Sequence, residues 1–348
     1  MSDIAVQTTH PEPVSAKAAK ITALQPVYAL VEDDFRAVND LIPRNLSSNV
    51  ELVEEISAYI VSNGGKRLRP LMVLLTCGAL GYGGRQHIKL AATIEYLHTA
   101  TLLHDDVVDH SDMRRGKLTA NEKWGNAPSI LVGDFLYSRA FQLMVDIGSM
   151  DIMAVLAAAT NTIAEGEVMQ LANVGRLDIT EAAYREIIRC KTALLFEAAS
   201  HTGAILTRST EVALRETQIE AMRAFGLHFG LTYQLVDDWL DYTGDAQTMG
   251  KNAGDDLAEG KLTLPLIHAL KEAPESDRRI ICQAIEAQDI GALNAVLDIV
   301  QRCGALQYTE EAAKREAEAA LNCLDGLFPN NYVEALQTLT QYSTARLF

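Results

Sequence analysis

The chain has 348 residues, with 30 Lys and Arg set against 46 Asp and Glu, for a formal net charge of −16. That balance argues against nucleic acid as a partner, because neutralising a phosphate backbone takes a surplus of cations, while a local cluster of cations can still hold a small anion. Aromatics are only 6%, with 22 Gly and 9 Pro, which favours helix over strand, and the five unpaired-looking cysteines (Cys77, Cys190, Cys282, Cys303, Cys323) argue against a disulfide framework or a zinc site.

Residues 1–22 are polar, broken by Pro11 and Pro13, and lack periodicity. They are expected to form a disordered tail, followed by a single all-helical domain over 23–348. From Glu51 to Ser62, apolar Leu52, Ile56, Tyr59, Ile60 and Val61 fit a one-sided helix. After the Gly64-Gly65 break an apolar helix is expected from about Pro70, with Pro in its first turn. The stretch His87–Asp109 is helical and mostly apolar, so it should be central. Further helices are expected over 128–147 and Gly226–Asp241, and the run Asp178 to Glu181 resembles an N-capping box. Residues 244–261 are Gly-rich and charged, which predicts no regular element. Beyond Pro265 helices continue to Phe348. No run approaches the roughly 18 consecutive apolar residues of a membrane span, and no signal pattern opens the chain. A cytoplasmic protein without a transmembrane segment is the expectation.

Two segments carry the chemistry: Asp105-Asp106-Val-Val-Asp109 and Asp237-Asp238-Trp-Leu-Asp241. Positions i and i+4 share a helix face, so Asp105 points with Asp109 and Asp237 with Asp241. Each motif ends an apolar helix, where the negative end of the dipole disfavours acids. One such motif is as readily a solvated helix end. Two at matching ends make a repeated conflict, and a divalent cation relieves it. Hard oxygen ligands suit Mg²⁺, which takes one or two carboxylates together with substrate phosphates.

The basic residues supply the counterpart. The turn Gly64-Gly65-Lys66-Arg67-Leu68-Arg69-Pro70 enters a helix, where backbone N–H groups favour an anion. Arg114 and Arg115 follow the first acidic motif, and Arg offers bidentate recognition of phosphate. Lys191-Thr192 opens a long helical stretch, and Lys251 and Lys261 flank Asp255-Asp256. His98 stands two turns before Asp105 on the same face, either as a donor to a diphosphate or as an ordinary buried histidine. His104 points elsewhere. No Ser/His/Asp or Cys/His arrangement competes for the chemistry.

In the segments GGKRLRP (64–70), EYLHTATLLHDDVVDHSDMRRG (95–116), GNAPSILVGDFLYSRAFQLM (125–144), EGEVMQL (165–171), KTALLFEAA (191–199), YQLVDDWLDY (233–242) and GKNAGDDLAEGKLTLPL (250–266), the chain resembles the trans-polyprenyl diphosphate synthases, and within them the bacterial octaprenyl diphosphate synthases of the ubiquinone side-chain pathway. The resemblance covers about residue 30 to the end. It implies an all-α, isoprenoid-synthase-type antiparallel helical bundle around a deep central cavity, usually a homodimer. It implies two to three Mg²⁺ ions, ligated by Asp105, Asp109 and Asp237 with Asp106, Asp238 and Asp241 assisting. It places isopentenyl diphosphate on Lys66, Arg69, His98 and Arg115, and the allylic diphosphate on Arg114, Lys191, Thr192, Gln234, Lys251 and Lys261. The catalytic set so implied is Asp105, Asp109, Arg114, Lys191 and Asp237.

Product length is then a steric matter. Thr101 and Ala100 lie four and five residues before Asp105, roughly 6–7.5 Å down the helix, and both are small, so a tunnel is expected to continue past them. Met144 and Phe141 are candidates for its floor, or ordinary core. The resemblance implies eight isoprene units, with nine or ten as alternatives. A class I terpene cyclase is disfavoured by the intact second acidic motif and by the basic turn, which serves a second substrate. A non-catalytic subunit of a heteromeric synthase has no need of six intact acids, and all six are present.

Overall fold

A computed structural model of the chain describes residues 24–62, 64–207, 212–243 and 254–347. Residues 1–22, expected to be a disordered tail, and Lys251, expected at the allylic diphosphate, lie outside the described residues.

Helices α1 (24–30) and α2 (Glu32–Arg44) open the fold. Glu32, Asp33 and Asp34 in the first turn of α2 and Arg44 in its last complement the helix dipole. Its Val38 and Ile42 are fully buried. Helix α3 (Glu51–Ser62) has the bounds its periodicity predicts. Helix α4 (Leu68–Ala79) starts two residues ahead of Pro70, which sits in the first turn where no N–H is needed. Helix α5 (Gln86–Val108) is mostly apolar and buries Leu90, Ile94, Leu97 and Ala100, which makes it a central helix. It packs against α2 and α4.

A two-residue hairpin follows, β1 (Met113–Arg114) with β2 (Lys117–Leu118), pairing Met113 with Leu118 and Arg114 with Lys117. Strands this short show no alternation to read in the sequence. Helices α6 (Ala120–Trp124), α7 (Asn126–Ile147) and α8 (Met150–Leu171) come next, and α7 forms with α5 the most extensive helix pair of the fold. Among the described residues α8 is the one helix long and apolar enough, by length and composition alone, to cross a membrane.

Helix α9 (Glu181–Ile188) is capped by Thr180, whose hydroxyl accepts from the Ala183 amide at 3.2 Å. The box expected to begin at Asp178 is not formed, because the Asp178 carboxylate is drawn into a two-pronged pair with Arg176 at 2.9 and 2.7 Å. A π-helical segment (Arg189–Ala193) leads into α10 (Leu194–Leu206), which packs on α4, α5 and α8.

Helix α11 (Val212–Asp241) begins well upstream of Gly226, where the sequence places its start. Gly226 reads as a boundary but is a contact point in mid-helix. A Cβ there would stand 2.5 Å from the Phe196 carbonyl oxygen, and one at Gly230 would stand 2.5 Å from the Ala193 Cα. These two glycines, one turn apart, let α11 lie directly on the π segment and α10. Gly230→Ala is therefore expected to lower the unfolding free energy by about 1–3 kcal/mol through overpacking, measured by urea denaturation.

Within the stretch expected to be irregular, Asp255–Ala258 form a one-turn helix, α12. Its order has a visible cause: the two oxygens of the Asp241 carboxylate accept from the Asp255 and Asp256 amides, each at 3.2 Å. Helices α13 (Leu264–Glu272), α14 (Glu275–Ala287), α15 (Leu293–Arg302), α16 (Ala305–Leu324) and α17 (Asn331–Thr344) complete the chain, as expected beyond Pro265. Asn330 caps α17 and donates to the Ala79 carbonyl at 3.0 Å, fixing the last helix to the end of α4. The main core runs from α1 to α17, and a smaller core around Leu257, Leu266, Ile281 and Val296 supports the loop that carries Lys261. All five cysteines are free thiols.

Candidate active site

The C-terminal ends of α5 and α11 meet across a cavity of about 600 Å³. Asp105 and Asp109 line one bank, and Asp237, Asp238 and Asp241 the other. Lys66, Arg69, His98, Arg114, Arg115, Lys191, Thr192, Gln234 and Lys261 line the same cavity, so every described diphosphate candidate converges there. His104 does not. It faces α7, with Nε2 3.2 Å from the Ile130 carbonyl oxygen and 3.4 Å from Asp134.

The carboxylates differ in what they touch. Burial pushes the Asp105 carboxyl up to about 7; Lys191 and Arg114 pull it down, while Glu167 and Asp109 push it further up. Asp109 accepts from the Lys261 ammonium at 3.1 Å. Asp106 is 1% exposed and does not line the cavity. Its Oδ1 accepts from Arg114 Nε at 2.7 Å and lies 2.6 Å from Nη2. Asp106, expected to assist at the metal, orients Arg114 through this pair. Asp106→Ala would strand the Arg114 charge and is expected to cost about 3 kcal/mol of folding free energy, read by urea denaturation; an unchanged midpoint would show that Arg114 needs no anchor.

Asp238 is also engaged. Tyr184 donates to its Oδ2, and Gln234 donates to its Oδ1 at 2.7 Å. The Gln234 carbonyl accepts from the Thr192 hydroxyl at 2.7 Å, closing a chain from α9 through the π segment to α11. Burial pushes Asp238 up to about 8, with nearby Asp256 adding to the rise and Tyr184 and Gln234 opposing it. Asp241 is tied to the amides that open α12.

The cations are held in advance. Lys191 projects from the π segment and donates to Glu167 on α8 at 2.8 Å. A π bulge inserts a residue into the helical register and so re-aims side chains, a common device at functional sites. With its amide oxygen turned towards them, Gln170 accepts from both Lys191 and Lys261 at 3.2 Å. Lys66 lies over the Tyr342 ring at 4.9 Å, and Arg69 over the Phe196 ring at 4.2 Å. His98 Nε2 is 3.2 Å from Arg69 Nη1. Burial holds His98 well below its usual range, reinforced by Arg69, Arg115 and Arg114. Since Arg can only donate, Nε2 is the acceptor, and the proton of the neutral ring sits on Nδ1.

Sequence reasoning missed several lining residues. Glu167 and Gln170 lie in the EGEVMQL segment, which carried part of the resemblance, yet Glu165 and Glu167 two residues apart point to different helix faces and give no helical spacing to read. Tyr184 and Arg346 belong to no motif, and Glu95 opens the 95–116 segment without an acidic partner in it at helical spacing. Arg346, near the C-terminus, lies 3.6 Å from Asp237 Oδ1 and over the Tyr233 ring at 5.2 Å.

Of the tunnel residues, Thr101 lines the cavity, beside Leu102 and Phe196. Ala100, turned about 100° around α5 from Thr101, is fully enclosed, as is Met144 on α7 at 1% exposure. Both are part of the main core, and Phe141 packs against it.

The donor set fits a hard divalent cation. Hard oxygens from two facing helices share one cavity, and burial disfavours the charged form of Asp105, which a cation beside it would restore. Among the described residues no three carboxylates form a ready-made cage, which matches an ion that completes its shell with water and substrate phosphates.

Cations and acids facing one another across a buried cavity define a site for phosphate-ester chemistry, and similarity to known proteins gives the family. Residues 50–301 match the polyprenyl synthetase family. The chain is 46% identical over 325 residues to the octaprenyl diphosphate synthase of Escherichia coli K12, covering 93% of this chain and 99% of that one. It is also 46% identical over 324 residues to the geranyl-diphosphate-specific all-trans-nonaprenyl-diphosphate synthase of Rhodobacter capsulatus, covering 93% and 98%. A crystal structure of the Caulobacter crescentus CB15 polyprenyl synthase, complexed with calcium and isoprenyl diphosphate, superposes with a TM-score of 0.88 at 41% identity, covering 92% of this chain and 97% of that one. The chain belongs to the polyprenyl synthetase family and has the all-α isoprenoid-synthase fold. It is a prenyltransferase.

Proposed function

We propose that this enzyme lengthens an allylic diphosphate, with farnesyl diphosphate as the primer, by successive additions of isopentenyl diphosphate, to give octaprenyl diphosphate for a ubiquinone side chain. The observation that carries this reading is one cavity lined by both acidic helix ends together with Lys66, Arg69, Arg114, Arg115, Lys191 and Lys261, more cations than a single diphosphate needs.

Asp105 and Asp109 from α5 and Asp237 from α11 are the carboxylates that would hold Mg²⁺, two to three ions in all. When bound, Mg²⁺ neutralises charge on the departing diphosphate. Arg114, Lys191 and Lys261 face the same charge, with Thr192 and Gln234 orienting the allylic diphosphate beside them. In a partly dry cavity these fixed cations act more strongly than they would in water. Lys66, Arg69, Arg115 and the Nδ1 proton of His98 hold the diphosphate of isopentenyl diphosphate. The allylic C–O bond breaks with its electron pair on oxygen. The isopentenyl π pair then forms the new C–C bond to the allylic carbon, and loss of a proton to the departing pyrophosphate restores a double bond. Holding the two substrates side by side supplies much of the remaining rate.

For a long product the tail must pass Thr101, so the core between α5 and α7 opens along Ala100 and Met144. The small Ala100 and the flexible Met144 are suited to this. A nine-unit product is the specific alternative, given the equal identity to the nonaprenyl relative. We place the enzyme in the cytoplasm as a homodimer. Outward-facing Leu131 and Val145 on α7 and Met150, Val168 and Leu171 on α8 are exposed apolar side chains suited to a self-complementary face. Because α8 also presents Glu167 and Gln170 to the cavity, it serves the fold and the site rather than a bilayer. Pyrophosphate release by the purified chain should require isopentenyl diphosphate. Release without it would favour a cyclase, and no release at all by the chain alone would favour a subunit of a heteromeric enzyme.

A further inference from the structure

Glu95 stands ten residues before Asp105 on α5, in no acidic motif, and lines the same cavity within the basic cluster. Its Oε1 is 3.9 Å from Arg67 Nε, both side chains are only 15% exposed, and its Oε2 is buried without a hydrogen-bond partner. Arg67, which lies with Leu68 between the two proposed diphosphate ligands Lys66 and Arg69, lines the same cavity but has its guanidinium anchored on the protein side. Its Nη1 donates to Asn39 at 2.5 Å and its Nη2 to the Val61 carbonyl at 3.4 Å.

Two arginines of this cluster, Arg67 (φ 46°) and Arg115 (φ 54°), hold left-handed backbone conformations without being glycine. Non-glycine residues persist there only when their surroundings over-determine them. Arg115 Nη1 lies so close to Gly65 that a Cβ there would be 2.6 Å away, which brings the second arginine against the basic turn. Like charges packed this tightly repel and need an internal counter-charge. Burial pushes the Glu95 carboxyl up, and Arg67, Arg69 and Arg115 each pull it back.

We infer that Glu95 is a positioning residue for homoallylic substrate capture: its carboxylate anchors Arg67 and keeps Arg69 and Arg115 aimed at one diphosphate. The inference rests on the reading of Lys66, Arg69, His98 and Arg115 as the isopentenyl diphosphate site. It adds an acid to a site otherwise defined by its cations, and the sign of its effect is distinctive. If Glu95 only weakened the local positive potential, its removal would tighten diphosphate binding. As a positioning residue, its removal loosens it.

The test compares wild type with Glu95→Gln, which keeps the shape and removes the charge, and with Glu95→Asp, which keeps the charge. KM is measured for each substrate, and isopentenyl diphosphate binding is measured directly by calorimetry in the absence of allylic substrate. In Glu95→Gln, KM and Kd for isopentenyl diphosphate are expected to rise about tenfold, with KM for the allylic diphosphate and the melting temperature nearly unchanged. Glu95→Asp should recover part of the loss. An unchanged or lower Kd for isopentenyl diphosphate in Glu95→Gln, or equal rises in both KM values, would overturn the inference. Absence of isopentenyl-dependent turnover in wild type would instead overturn the functional reading beneath it.

Discussion

Replacing Asp105 or Asp237 with Asn is expected to lower kcat/KM by about a thousandfold, the order of loss when a preorganised electrostatic group is removed from a reacting site. The same Asp105 change should not harm the fold. Burial raises the Asp105 carboxyl from 3.8 to about 7, so its ionised form is disfavoured in the folded state. The sign follows from proton linkage. A raised folded-state value gives stability that is fully present below the unfolded value and is lost as pH rises through about 7. In metal-free buffer, wild type should therefore lose stability between about pH 4 and pH 8 relative to Asp105→Asn. Urea denaturation at both pH values measures this difference alongside the kinetic loss. A variant both inactive and less stable at pH 8 would mean that Asp105 is a structural residue.

The second large effect concerns product length. Thr101 lines the cavity, four residues before Asp105 on α5. Thr101→Tyr should place an aromatic ring across the path of the growing tail and shift the products to short chains, with the rate of the first additions nearly unchanged. Ala100→Phe should shorten the product too, but by a different route. Ala100 is fully enclosed, so a phenyl ring there overpacks the core between α5 and α7, at a cost of about 1–3 kcal/mol or more. A drop in melting temperature should accompany the shorter product in Ala100→Phe and be small in Thr101→Tyr. Chromatography of the products together with thermal unfolding separates the two. Long product from both variants would contradict the proposed path along α5.

How far the sequence carried this reading depends on whether a residue's role repeats locally. The acidic helix ends and the basic turn were legible because their parts lie within one or two turns of each other, where helical spacing fixes mutual direction. The central position of α5 followed from its being mostly apolar. Glu95, Tyr184, Glu167 and Arg346 act through partners distant in sequence: Tyr184 reaches Asp238 across 54 positions, and Lys191 reaches Glu167 across 24. No periodicity reports such pairs. The π segment that aims Lys191 leaves no trace in composition either, since one inserted residue barely shifts the apolar pattern. Asp178 was misread for a related reason. Its type suits an N-cap, but the competing claim of Arg176 on its carboxylate is a tertiary choice, and Thr180 took the cap. Asp106 shows the same limit inside a motif: helical spacing places it away from Asp105 and Asp109, but only its pairing with Arg114 shows that it anchors a cation.

One incubation tests the central claim most directly: the purified chain with farnesyl diphosphate, excess isopentenyl diphosphate and Mg²⁺, the products then dephosphorylated and sized by chromatography. Two diphosphate sites sharing one cavity predict a linear, all-trans eight-unit product whose formation stops when either substrate or Mg²⁺ is withheld. A cyclised hydrocarbon formed from farnesyl diphosphate alone, with isopentenyl diphosphate left unconsumed, would contradict the account.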